Sequence, residues 1–224
     1  MKKTLVLGYG LLGKELVKQT NWDYLSRSKD KTFNFTDIQT YKNLISNYKT
    51  IINCIAFTDT YSDNKEKHWN VNYRAVADLV DICNINKQKL VHISTDYLYS
   101  GSNIEASEDD IPIHNKTWYG YSKLLGDAHI QLKSNNYLII RSGHKAYPFT
   151  HNKAFEDVIG NFDYVNKIVS LIIDLINNNT IGIRNVGTRL KSMHDLALET
   201  KSNVKKSKCN NDLMPRNVSM RIKE

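Results

Sequence analysis

The sequence predicts an α/β protein: a doubly wound parallel sheet with a small, reduced C-terminal region for a substrate. Three observations carry that expectation. Short apolar runs alternate with segments of helical periodicity through the first 142 residues. Three glycines, Gly8, Gly10 and Gly13, stand between the first apolar run and the first helical segment. Two groups of polar residues, Ser94-Thr95-Asp96 and Tyr119-Gly120-Tyr121-Ser122-Lys123, come after separate expected strands.

Residues 4–7 form a short apolar run that ends at Gly8, and Gly8-Tyr9-Gly10-Leu11-Leu12-Gly13 leads into the helical pattern of residues 14–18. This is G-x-G-x-x-G between a strand and a helix. Its glycines permit a tight turn, the close approach of a pyrophosphate, and close packing of helix on strand. The helix N-terminus would add free N–H groups and a partial positive charge for phosphate. A plain glycine-rich turn is the alternative, and the flanking strand and helix favour dinucleotide binding. The fold expected is therefore of the Rossmann type.

The next strand, at residues 24–25, ends in Ser26-Arg27-Ser28. A carboxylate there would accept the 2′-hydroxyl of NAD, whereas an arginine suits the 2′-phosphate of NADP; Arg27 favours NADP over NAD. Residues 33–35 read as a third short strand, with Thr36 and Asp37 capping a helix up to Tyr48. Residues 50–56 are nearly all apolar, as in a buried parallel strand. They deliver Phe57 and Thr58 at the edge where open α/β sheets bind ligands.

Residues 61–67 read as a loop, and residues 69–85 as a helix through Val71, Ala75, Leu79 and Ile82. The strand at 89–93 delivers Ser94, Thr95 and Asp96, with His92 read as packed inside it rather than catalytic. The acidic loop 101–117 reads as solvated surface. It is followed by a helix at 118–133 and a strand at 137–141. Past Ser142 the pattern weakens to a loop at 143–157, a helix at 162–176, a strand at 180–186, a short helix at 192–199, and a basic segment at 201–208 read as a solvated, mobile terminus.

Tyr119 and Lys123 are four apart and share a helix face. An ammonium beside a phenol favours the phenolate and lowers the tyrosine from its ordinary value of about 10. Such a tyrosine can exchange a proton near neutral pH.

The formal charge of +8 invites a nucleic-acid reading, but the lysines are spread along the chain and no nucleic-acid module is present. An anionic small molecule, or a soluble surface alone, accounts for the charge as well. No run of about 18 apolar residues occurs, so no membrane span is expected. The first apolar run is too short for a signal peptide, so a cytoplasmic location is expected. Cys54, Cys83 and Cys209 have no metal-ligand spacing, and no metal is expected.

With these residues in hand, the chain resembles the extended short-chain dehydrogenase/reductase superfamily, and within it the dTDP-4-dehydrorhamnose reductases and related sugar-nucleotide reductases. The matching stretches are residues 8–13, 53–58, Val71-Asn72, 92–97 and 118–127. The resemblance implies that Thr95 hydrogen-bonds the substrate carbonyl, with Asp96 and Tyr97 beside it at the substrate. It implies that Tyr119 protonates the developing alkoxide as NADPH delivers hydride. Lys123 would bind the nicotinamide ribose and tune Tyr119. The cofactor contacts implied are Gly8, Tyr9, Gly10, Leu11, Leu12, Gly13, Ser26, Arg27, Asp37, Ala56, Phe57, Thr58, Tyr119 and Lys123.

Two substitutions depart from the family pattern: Asn34 stands for an aspartate and Asp127 for a glutamate. About one strand and helix are missing between Ser142 and Phe162. The organisation expected is therefore an NADP-binding domain over residues 1–142 and a reduced substrate region and tail over 143–224. The activity implied is NADPH-dependent reduction of a nucleotide-linked 4-keto-6-deoxy sugar, with no nucleic-acid or membrane partner and with a homodimer allowed. The alternatives are a non-catalytic NADP-binding regulatory subunit and a sugar-nucleotide epimerase or dehydratase.

Overall fold

The computed structural model describes residues 2–102, 104–114 and 116–223. Five strands come from the first part of the chain: β1 (Lys2–Leu7), β2 (Asp23–Leu25), β3 (Tyr48–Asn53), β4 (Lys89–Ile93) and β5 (Tyr137–Ser142). The helices are α1 (Leu11–Thr20), α2 (Lys42–Ile45), α3 (Lys65–Trp69), α4 (Ala75–Ile85), α5 (Trp118–Lys133), α6 (Val165–Asn177) and α7 (Met193–Leu198). A sixth strand, Gly182–Val186, pairs with β5, and the sheet order is Gly182–Val186, β5, β4, β3, β1, β2, all parallel.

β1, β3, β4 and β5 are apolar because both faces of the sheet are covered. On one face Leu5, Ile51, Leu90 and Ile139 pack with Leu79 of α4 and Ile130 of α5. On the other, Val6, Ile52, Val91 and Ile140 pack with Leu16 of α1 and Ile168, Val169 and Ile172 of α6. The expected domain edge at residue 142 therefore does not coincide with the edge of the sheet, because both Gly182–Val186 and α6 come from beyond it.

Several local expectations are corrected. Residues 33–35 form no strand. The chain turns after β2, with the N–H groups of Lys29 and Asp30 donating to the Ser26 carbonyl. Phe33 and Phe35 instead pack on Tyr41, with ring centroids 5.0 and 6.2 Å away. Their alternation reflects burial of two rings, not a ladder. The expected helix up to Tyr48 breaks into a 3₁₀ turn, Ile38–Thr40, and the single turn α2, and Tyr48 opens β3. Residues 61–67 contain the start of α3, where Asn64 Oδ1 accepts the Lys67 N–H at 3.0 Å as a cap.

The region beyond Ser142 builds a second, smaller core from Ala154, Val158, Phe162, Tyr164, Met193, Leu196, Val204 and Val218. The segment read as a mobile basic terminus is pinned there: Lys205–Ser207 pairs in parallel with Lys153–Phe155, and Val204 is buried. A run of lysines on an edge strand looks like solvated coil in sequence because it is held mainly through its backbone, with one exposed ion pair from Lys206 to Glu156 at 3.2 Å.

Candidate active site

The glycine loop carries a separate reason at each glycine. Gly8 has φ +96°, and a Cβ there would meet Ile55 Cγ1 at 2.8 Å. A Cβ at Gly13 would collide with the Gly8 carbonyl, so α1 can lie this close to the loop only without a side chain. At Gly10 a Cβ would meet nothing within 4 Å, so this glycine faces open space. Gly10 opens α1 without a capping side chain or an acid in the first turn, so the N–H groups at the start of α1 remain available to an anion.

That open space is a groove of about 810 Å³ lined by Gly8, Tyr9, Gly10, Ser26, Arg27 and, on its far wall, Ile55, Ala56 and Phe57. Tyr9 stacks on Tyr24 at 4.0 Å, and Lys29 Nζ sits 4.2 Å over the Tyr24 ring. Arg27 is exposed and makes no ion pair among the described residues, so its guanidinium is free for an incoming phosphate. Leu11 and Leu12, in α1, do not line this groove; Leu11 is exposed and Leu12 is buried. Thr58 is exposed and lies past its lining. Asp37 is turned elsewhere: its Oδ1 accepts the Gln39 N–H at 3.1 Å and caps the 3₁₀ turn, while Asn34 and Thr36 line the groove.

Thr95 and Tyr119 meet at the C-terminal edge of the sheet. Thr95 is buried, its Oγ1 donating to Asp96 Oδ1 at 3.2 Å and accepting the Tyr97 N–H at 3.2 Å. The Tyr97 ring stands edge-on to Tyr119 at 6.2 Å, and its hydroxyl is 3.3 Å from that of Tyr61. Asp96 is buried, which raises its carboxyl, with Lys145 and Thr95 acting against the rise. Gly143 lies so close that a Cβ there would run into the Asp96 carboxylate.

Lys123 is on the same helix face as Tyr119, but its Nζ is engaged elsewhere: it lies 2.9 Å from His92 Nε2 and donates to the Ile93 carbonyl at 2.8 Å. The expected lowering of Tyr119 is therefore corrected. Burial pushes the phenol up to about 12, and the Thr95 hydroxyl near it pulls the other way. Burial likewise lowers Lys123 to about 8, against Asp127 and Cys54.

Four residues that hold the site were given no role in it from the sequence. Asn72, in a π turn (Asn70–Arg74), accepts the Phe57 N–H at 2.8 Å and donates to the Phe57 carbonyl and to Ser122 Oγ, both at 3.1 Å. It ties the groove wall to α5. π turns are rare and often mark functional sites, but only the Val71-Asn72 match could have pointed here. His114 donates Nδ1–H to the Tyr97 carbonyl at 2.8 Å and accepts the Thr117 N–H at Nε2 at 3.1 Å. This fastens the cap of α5, Thr117, to the segment carrying Thr95. His92 and Asn53 are the others.

A six-stranded parallel sheet, a glycine turn in which Gly8 and Gly13 leave no room for a side chain, and Thr95 and Tyr119 at the C-terminal edge of the sheet define a dinucleotide-binding protein of the extended short-chain dehydrogenase/reductase class. The sequence model of the RmlD substrate binding domain matches residues 1–177, and the chain belongs to that family. The spore coat polysaccharide biosynthesis protein SpsK of Bacillus subtilis is 30% identical over 202 residues, covering 80% of this chain and 71% of that protein. The dTDP-4-dehydrorhamnose reductase of Bacillus anthracis, solved with NADP, superposes with a TM-score of 0.85 at 22% identity over 100% of this chain and 92% of that one. A hypothetical dTDP-4-dehydrorhamnose reductase of Sulfolobus tokodaii gives 0.84 at 27% identity, over 99% and 92%. Among the described residues, no helix is long and apolar enough to cross a membrane and no cluster could hold a metal ion.

Proposed function

We propose that the protein is an NADPH-dependent reductase of a nucleotide-linked 4-keto-6-deoxy sugar. The observation that carries this reading is the placement of Thr95, buried just past β4, and Tyr119, at the start of α5, together at the C-terminal edge of the sheet, with the Tyr97 ring edge-on to Tyr119 at 6.2 Å. Two hydroxyls so placed can hold one carbonyl oxygen between them. The groove fits a dinucleotide: the open face at Gly10 admits a pyrophosphate to the start of α1, Arg27 suits a 2′-phosphate, and Ala56 and Phe57 form the far wall.

The cofactor supplies a hydride when bound. Thr95 holds the carbonyl oxygen of the sugar and Tyr119 gives that oxygen its proton, while Asp96 and Tyr97 border the sugar. Lys123 stabilises the phenolate that Tyr119 leaves behind. A homodimer and a cytoplasmic location complete the proposal; exposed Leu132 and Ile85 on the outer helices give a second copy an apolar surface. Light scattering checks the oligomer.

The test of function is NADPH oxidation with dTDP- and UDP-linked 4-keto-6-deoxy sugars. Turnover of one of them supports the reading. Tight NADPH binding with no turnover of any would favour the non-catalytic regulatory subunit instead.

A further inference from the structure

His92 and Asn53 are register partners on neighbouring strands, on the face that α5 covers, and Lys123 descends onto them from that helix. All three are buried. The proton positions along this row follow from a single backbone group. The Ile55 N–H donates to Asn53 Oδ1 at 3.0 Å, which identifies that atom as the amide oxygen. The Asn53 NH₂ is then what faces His92 Nδ1 at 3.1 Å. An amide NH₂ only donates, so Nδ1 accepts and bears no proton.

A neutral imidazole carries its proton on one nitrogen, and here that is Nε2. Nε2–H points at Lys123 Nζ, 2.9 Å away. An ammonium has three donors and no acceptor, so it would set donor against donor. A neutral amine has a lone pair to accept from Nε2–H and still has N–H groups, one of which reaches the Ile93 carbonyl at 2.8 Å. Only this assignment satisfies every atom of the row, and a doubly protonated His92 is barred by the same Asn53 amide. The other titratable groups facing Lys123 are Asp127 from its own helix and Cys54 from the end of β3. Asp127 is in turn paired with buried Arg141 at 3.2 Å, which takes up much of its charge. Burial of Lys123 acts in the same direction as the hydrogen-bond pattern.

We propose that His92 is a positioning residue whose Nε2–H holds the Lys123 amine unprotonated and away from Tyr119, and that dinucleotide binding releases Lys123 with uptake of one proton from solvent. The first half stands on the protein alone, and the second rests on the proposed dinucleotide site. Released toward Tyr119, Lys123 faces the nicotinamide ribose hydroxyls and the phenol oxygen, acceptors that favour an ammonium with its three N–H donors. Linkage then gives the sign: the lysine value rises on binding, so proton uptake and loss of affinity with rising pH begin above about 8 and vanish below it.

The first experiment is ¹⁵N-histidine and ¹³C-lysine NMR of the cofactor-free protein, with Lys123→Met identifying the lysine signal. The expected result is a His92 ring protonated at Nε2 and not at Nδ1, and a Lys123 signal that titrates at or below about 8. In His92→Ala, which removes the Nε2–H donor and lets water reach the amine, the lysine should move back toward the ordinary value of about 10.4. His92→Gln, whose amide can still donate, should keep it low. A ring protonated at Nδ1, or a Lys123 titrating at the ordinary value in the parent, overturns the proposal.

The second experiment is NADPH calorimetry near pH 8.5, in two buffers of different ionisation enthalpy. It should give more than about half a proton taken up by the parent and much less by His92→Ala. Equal uptake in both overturns the release step. Failure of NADPH to bind at all would defeat the dinucleotide reading, and the NMR result would still decide the His92–Lys123 contact.

Discussion

Tyr119 can act as an acid only while its phenol keeps its proton, and with burial holding it up at about 12 it does so throughout the neutral range. That state suits reduction, where a proton must be given to an alkoxide. Tyr119→Phe keeps the ring against Tyr97 and His68 but removes the proton. General acid catalysis contributes about 10²–10⁴-fold, so the rate of hydride transfer should fall by that order in single-turnover measurements while NADPH affinity barely changes. A rate equal to the parent's would remove Tyr119 from the mechanism. Arg27 gives a second expectation at this scale. Its free guanidinium should make NADPH bind more tightly than NADH, and Arg27→Ala should erase most of that preference in calorimetric titrations of both cofactors. The residue pattern made both proposed roles legible, because spacing puts Tyr119 and Lys123 on one helix face and Arg27 at a strand end. It did not make legible where Lys123 points. A side chain with four torsions can take either of two neighbours, and the register that sets His92 beside Asn53 belongs to strand pairing, which periodicity does not fix.

The elements most readable in the sequence are those whose burial is complete. β1, β3, β4 and β5 each hold a short apolar run (Leu5-Val6-Leu7, Ile51-Ile52, Leu90-Val91 and Leu138-Ile139-Ile140) because helices cover both faces, and the family-like run beginning at Trp118 marks α5. The elements that misled are those stabilised by a few contacts: the Phe33 and Phe35 packing and the edge pairing of Lys205–Ser207. The glycine turn sits between these cases, since its motif was legible and its geometry now explains it. Gly13→Val should abolish NADPH binding, because the new side chain strikes the Gly8 carbonyl and pushes α1 off the loop. Circular dichroism should still report most of the helix and strand content, since α1 also packs through Leu12 and Leu16. Retained NADPH binding in this variant would mean that the groove at Gly10 is not the dinucleotide site.

At the scale of the whole molecule, the chain does not divide where its sequence pattern weakens. The strongest alternation ends at Ser142, yet the sheet gains its sixth strand from Gly182–Val186 and its second face is closed by α6. Without that later part, Val6, Ile52, Val91 and Ile140 would meet water on one face. α6 alone buries Val165, Ile168, Val169 and Ile172. At about 1.5–3 kcal/mol for each buried aliphatic side chain, their loss removes on the order of 6–12 kcal/mol. A domain of this kind is stable by only about 5–15 kcal/mol, so the two quantities are comparable. A chain ended at Ser142 should therefore fail to fold cooperatively, although it keeps the glycine loop, Thr95, Tyr119 and Lys123. Ending it after Asn177 restores α6 but still leaves the β5 edge unpaired; ending it after Val186 restores both. Urea unfolding of the three lengths should show no cooperative transition for the first and a cooperative one for the last. A cooperative transition at 142 would mean that the dinucleotide half is an independent unit and that α6 belongs with the substrate region.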